Sequence, residues 1–81
     1  MKDTLFTIVT AIVDNKDAVE ISEEDNEGVI NFIIKVDPQD MGKIIGKGGK
    51  VIKSIRNVMK IPAIKNNKRI FVSLYEENPQ Q

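Results

Sequence analysis

The sequence predicts an α+β fold with elements in the order helix, strand, strand, helix, helix, strand (α-β-β-α-α-β). A three-stranded mixed sheet would carry the helices on one face. Three observations lead there. Two apolar runs flank the turn Asp25-Asn26-Glu27-Gly28, the pattern of a hairpin. A cap-and-proline start, Asp37-Pro38, precedes a glycine cluster that splits the next segment into two helices. The alternating run Ile70 to Leu74 then supplies a last strand.

At the N-terminal end, Asp3 or Thr4 can cap a helix reaching about Val13, with Asn15 as a left-handed stop. Leu5, Ile8 and Ile12 line one stripe of it, and Phe6, Val9 and Val13 the adjacent one. The β-branched residues here would suit a strand equally well. Ala18 to Ser22 reads as a short strand, and Glu20 to Glu27 as a solvated strand end and turn. Val29 to Val36 is nearly continuous in apolar residues, as a central strand is.

Asp37 caps the next helix, Pro38 fits its first turn and Asp40 complements its dipole. It can reach only about Ile45 before Gly46-Lys47-Gly48-Gly49 breaks it. A second helix runs from Lys50 to Lys60 and ends at Pro62. Val51, Ile52, Ile55, Val58 and Met59 form its buried stripe, opposite Lys50, Lys53, Asn57 and Lys60. Ile61 to Lys68 reads as a loop. The crossover through both helices is long enough for Ile70 to Leu74 to return parallel, by a right-handed connection. Residues 1–75 form one domain, and 76–81 a disordered tail.

Composition narrows the chemistry. At 81 residues the chain is near the lower limit for a self-sufficient core. Such a core rarely supplies more than roughly 3–5 kcal/mol of net stability. There is no cysteine and no histidine, which removes disulfides, thiolate metal sites and the commonest general base together. No cofactor, metal or catalytic residue is expected, and the protein is not read as an enzyme. The apolar run Leu5 to Val13 has the length of a signal-peptide core, but it lacks a basic flank and a small-residue cleavage site. It is also far too short to span a membrane. A cytoplasmic location with no membrane partner is expected.

The formal net charge is zero, yet Met41 to Arg69 holds nine Lys/Arg and no Asp or Glu. Ten of the twelve acids lie in residues 1–40. A polyanion laid across one face is the partner this segregation suggests.

The glycine cluster heads that basic block. Glycine stands where φ must be positive, or where a ligand backbone comes close. This turn opens a helix, whose first amides are unpaired and whose end carries about half a positive charge. Lys43, Lys47 and Lys50 add full charges, so phosphate is the anion it suits. A helix–turn–helix elbow with solvated lysines would not need the doubled Gly48-Gly49, Ile44-Ile45 before it and Ile52 after it. A P-loop needs four residues between its first two glycines, whereas Gly42 and Gly46 are three apart in that sense. The dinucleotide fingerprint would need glycine where Val51 stands.

Ile44 to Ile52 matches the pattern Val/Ile-Ile-Gly-x-x-Gly-x-x-Ile, the signature of the KH domain, and the element order resembles its type II, bacterial form. Over roughly residues 1 to 75 the chain resembles the KhpA-type (YlqC-like) family of single-KH proteins. Asp37-Pro38-Gln39-Asp40-Met41-Gly42-Lys43 and Asn66-Asn67-Lys68-Arg69 share in the likeness. The resemblance implies binding of single-stranded RNA, with about four nucleotides in a cleft and the GXXG loop, Gly46 to Gly49, clamping their backbone. Gly46, Gly48 and Gly49 would allow close approach and Lys47 would pair a phosphate, flanked by Lys43, Lys50 and Lys53. Ile45 and Ile52 are either an apolar floor for bases or core. Lys60 either extends the positive track or lies on an ordinary wet face. Lys65, Lys68 and Arg69 fall where the fold has its variable loop.

The resemblance also implies an RNA chaperone or post-transcriptional regulator linked to cell-envelope growth and cell-length control (cell shape). It implies a homodimer, and a heteromer with a KhpB/Jag-like KH-containing protein. An interaction module in which RNA binding is secondary is the alternative. Of the aromatic residues, Phe6, Phe32 and Phe71 are expected to be buried and only Tyr75 exposed, which argues against a base-stacking platform.

Overall fold

The computed structural model describes residues 1–75, so the tail expected over 76–81 lies outside the described residues. The elements are α1 (Lys2–Ile12), β1 (Glu20–Asn26), β2 (Val29–Lys35), α2 (Met41–Ile45), α3 (Lys50–Lys65) and β3 (Arg69–Leu74), with single 3-10 turns at 16–18, 38–40 and 47–49. This is the predicted order. The sheet runs β1-β2-β3, with β1 antiparallel and β3 parallel to the central β2. Ile21 faces Ile34 across the first pair, and Phe32 faces Val72 across the second.

The core lies between the sheet and the helices. Leu5 and Val9 of α1, Phe32 and Ile34 of β2, Ile44 of α2 and Met59 of α3 are its largest fully buried side chains. Each stabilises the fold by roughly 1.5–3 kcal/mol relative to exposure. Along β2, Ile30, Phe32 and Ile34 are buried while Val29, Asn31, Ile33 and Lys35 alternate outward and are half-buried. The helices therefore cover one face only.

β1 starts later and runs longer than Ala18–Ser22, because Glu20 to Asn26 takes up the full register against β2 despite being polar. Backbone pairing at an edge needs no apolar side chain, and Ile21 is the one buried residue of this strand. The hairpin closes through Glu27 and Gly28 at φ 54° and 87°, the double positive φ of a type I′ turn.

α1 begins at Lys2, ahead of the expected caps, and has no side-chain cap. Of its two stripes, Leu5, Val9 and Val13 are buried, Ile8 and Ile12 only partly, and Phe6 is 44% exposed. A single helix packing against one layer cannot bury both stripes. α3 does not stop at Pro62 but continues to Lys65. Proline removes one amide, yet the last turn is closed by Asn66 N to Pro62 O (3.1 Å) and Lys68 N to Ala63 O (2.9 Å). Continuing also buries Ala63. Val58, expected in the core, is 44% exposed. Phe71 is 56% exposed, because on a sheet covered on one side its partners Ile70, Val72 and Leu74 take the inward positions.

Candidate nucleic-acid interface

The interface is built around α2. At its start, Asp37 caps the chain as predicted, accepting from Gln39 N at 2.9 Å. Asp40 does more than face the dipole. It is buried, and accepts from the amides of Asn15 (3.0 Å) and Asp14 (3.3 Å), fastening the end of α1 to the start of α2. Asn15 also donates its side-chain amide to Asp37 at 3.0 Å. Lys43 completes the cluster, pairing with Asp14 and lying 3.6 Å from Asp40.

These contacts favour the charged forms. Asp37 is held below the ordinary carboxylate range chiefly by the Asn15 side chain, and Asp40 chiefly by the Asn15 amide. Lys43 is pushed up, first by its hydrogen bond to Asp14.

At the other end of α2 the chain turns at Gly46 (φ 76°), and Gly48 and Gly49 follow at φ 64° and 79°. Only glycine enters these conformations without strain. The three have different surroundings. A Cβ at Gly46 would lie 2.8 Å from the Val51 nitrogen and drive into its side chain. Beside Gly48 and Gly49 a Cβ would meet nothing within 4 Å. Gly46 thus lets the turn pack onto α3, whereas Gly48 and Gly49 hold an open surface. α3 then starts without a side-chain cap, its first amide, Lys50 N–H, bonded instead to Lys47 O of the preceding 3-10 turn. Lys47, Lys50 and Lys53 are exposed around it and form no ion pair among the described residues.

Further along α3, a groove of about 390 Å³ lies between α3 and β3, lined by Arg56, Lys60, Ile70, Phe71, Val72 and Ser73. β3 is an edge strand. Arg69 N and Tyr75 N bond to Gly28 O and Ile34 O of the β2 side. The alternation leaves the N–H and C=O of Ile70, Val72 and Leu74 on the other edge, toward α3. Arg56 reaches that edge, donating Nε–H to the Val72 carbonyl at 3.0 Å.

The predicted residues therefore separate. Gly46 to Lys50 come together at the turn, with Lys53 in the first turn of α3. Ile45 is exposed beside the turn, while Ile52 is buried in the core at 7% exposure. Lys43 faces away into the acidic cluster, and Lys68 pairs with Asp25 at 3.7 Å. Lys60 lines the groove. Sequence reasoning missed Arg56, although its place three residues after Lys53 and four before Lys60 puts it on their helix flank.

A mixed three-stranded sheet, two helices joined by a Gly-x-x-Gly turn, and a groove along the free strand edge define a type II KH domain. A family model described as "KhpA/KhpB, KH domain" matches residues 2–74. The RNA-binding protein KhpA of Clostridium acetobutylicum is 47% identical over 74 residues, covering 91% of this chain and 99% of that protein. That of Caldanaerobacter subterraneus is 43% identical over the same length and shares. KhpA of Aquifex aeolicus is 32% identical over 76 residues, covering 94% and 96%. The chain belongs to the KhpA/KhpB KH-domain family.

Proposed function

We propose that the protein binds single-stranded RNA, gripping its backbone at Gly46–Lys50 while bases lie in the groove between α3 and β3. The observation that carries this reading is that one helix, α3, joins the two. α3 starts at the open, positive-φ glycine turn and, about two turns on, lends Arg56 and Lys60 to a groove along the outer edge of β3. Phosphates meet the positive N-terminal end of α3 together with the side chains of Lys47, Lys50 and Lys53. Bases meet Ile70 and Val72, with Lys60 further along and Ile45 at the lip. Ile52 supports the turn from beneath, and Lys43 acts mainly in the fold. The similar proteins are named as RNA-binding, which supports the same reading.

With about three phosphate contacts, log K falls against log salt with a slope near −2. Weak, short recognition of this kind suits an RNA chaperone or post-transcriptional regulator in the cytoplasm, with cell-envelope growth and cell length as its physiological setting. Replacing Lys47 and Gly48 by aspartates sets two negative charges where phosphate sits. Gel-shift or crosslinking yield should collapse while circular dichroism stays native. Unchanged binding would remove this reading.

A second property has its own observation. Val58, Ile61 and Ile64 are 44%, 63% and 75% exposed on α3, a large apolar stripe for so small a protein. Self-association through it would link two weak grooves and raise avidity. A KhpB/Jag-like protein is the other partner for the same stripe. Sedimentation at micromolar concentration should give a dimer that Ile61→Glu dissociates, and a monomeric native chain would refute the homodimer.

A further inference from the structure

The free edge of β3 is not equally available along its length. At Val72, in the middle of the groove, the carbonyl is already held by Arg56. The Val72 amide points the same way, since N–H and C=O of one residue share a side in a parallel strand. Arg56 forms no ion pair among the described residues, so its remaining guanidinium hydrogens are left for a ligand.

An unencumbered residue on a strand edge offers a base one donor and one acceptor side by side. That pair fits a base edge on which an acceptor adjoins an amino group, as adenine has at N1 and N6 and again at N7 and N6. Arg56 changes the pattern. At this level the groove presents the Val72 N–H and the guanidinium N–H groups, which are donors only. The carbonyl keeps a second lone pair. An amino group aimed at it, however, would set its hydrogens against those of the guanidinium.

We propose that Arg56 determines base specificity. By holding the Val72 carbonyl, it makes the groove select bases with two adjacent acceptors, guanine (O6 and N7) and cytosine (O2 and N3), over adenine. This rests on the groove being an RNA site and adds the choice of base to it.

The test titrates the isotope-labelled full chain with the single-stranded RNA pentamers UUAUU, UUCUU and UUGUU, following the Val72 amide by NMR. The native protein should bind the C and G pentamers about five-fold more tightly than the A pentamer, the effect of one hydrogen bond. Arg56→Met keeps the aliphatic stem and frees the carbonyl, so the A pentamer should draw level with or overtake the others. Arg56→Lys keeps the charge but not the planar fork, and should retain overall affinity while losing discrimination. If Arg56 merely staples the strand to the helix, both variants weaken all three pentamers by a common factor and leave the ratios unchanged. That result, or equal affinities in the native chain, overturns the proposal while RNA binding stands. A native chain that binds neither the pentamers nor a longer mixed-sequence RNA overturns the RNA reading, and this one with it. Should Arg56→Met fail to fold, the ratios from Arg56→Lys decide.

Discussion

The two ends of the five-residue helix α2 gather charge in opposite ways. At its start, Asp37, Asp40, Asn15 and Lys43 close on one another and on three backbone amides. At its end, the glycine turn and Lys47, Lys50 and Lys53 have no acid beside them among the described residues. The same residue type thus stands in two different settings four residues apart. Lys43 helps hold α1 to α2, whereas Lys47 pairs with no acid among the described residues. Whether a charge is compensated inside the fold decides its use, and a count of lysines cannot show that.

The largest expected effect tests whether the open end is open throughout. Gly46→Ala should destabilise the fold by about 3 kcal/mol, combining a positive φ with a collision against Val51. Gly48→Ala meets free space and should cost about 1 kcal/mol. Denaturant titration of the two variants reads this directly. Equal losses would mean that Gly46 has no special packing role.

Next in size is the acid limb of stability. Asp37 and Asp40 titrate lower in the folded chain than the ordinary carboxylate value of about 3.9. The unfolded chain therefore binds more protons between the two values. Their contribution is fully present above the unfolded value and is lost as pH falls through the folded ones. Asp40→Asn should lower thermal stability at neutral pH and flatten its decline in acid. A parallel downward shift at every pH would contradict the assignment.

A smaller effect separates the two lysines in binding. Lys47→Gln should reduce the salt slope of RNA binding by about 0.7, the loss of one phosphate contact, and Lys43→Gln should leave it unchanged. Fluorescence anisotropy over a salt series distinguishes them, and equal slopes would erase the contrast between the ends of α2. The smallest effect comes from the hairpin, remote from both. Glu27→Asn should stabilise by up to about 1 kcal/mol, since Asn tolerates φ 54° better than Glu and Asn-Gly suits the type I′ turn. Its RNA affinity should be native.

What the sequence made legible is chemistry confined to neighbours in the chain. Asp37 as a cap and Gly46 to Gly49 as a break are local demands on backbone and amides, and both are found. The pairing of Lys43 with Asp14 joins residues 29 apart, and Arg56 meets a carbonyl delivered by the crossover. Neither has a local signature. The exposure of Phe71 was within reach of the alternation itself: with Ile70, Val72 and Leu74 inward and helices on one face, Phe71 had to turn out. α3 passed Pro62 because burying Ala63 and closing the next turn offset one missing amide.

The parallel pairing of β3 with β2 has a consequence for the order of assembly. Val29 meets Arg69, and Ile34 meets Leu74, across the whole helical crossover, whereas the hairpin and the glycine turn are made of near neighbours. Contacts at that separation are slow to form. A growing chain can complete its hairpin and its helical elbow and still lack the β3 side of the groove. The groove comes into being only when β3 docks, so the proposed reading of a base there requires a chain that has finished folding.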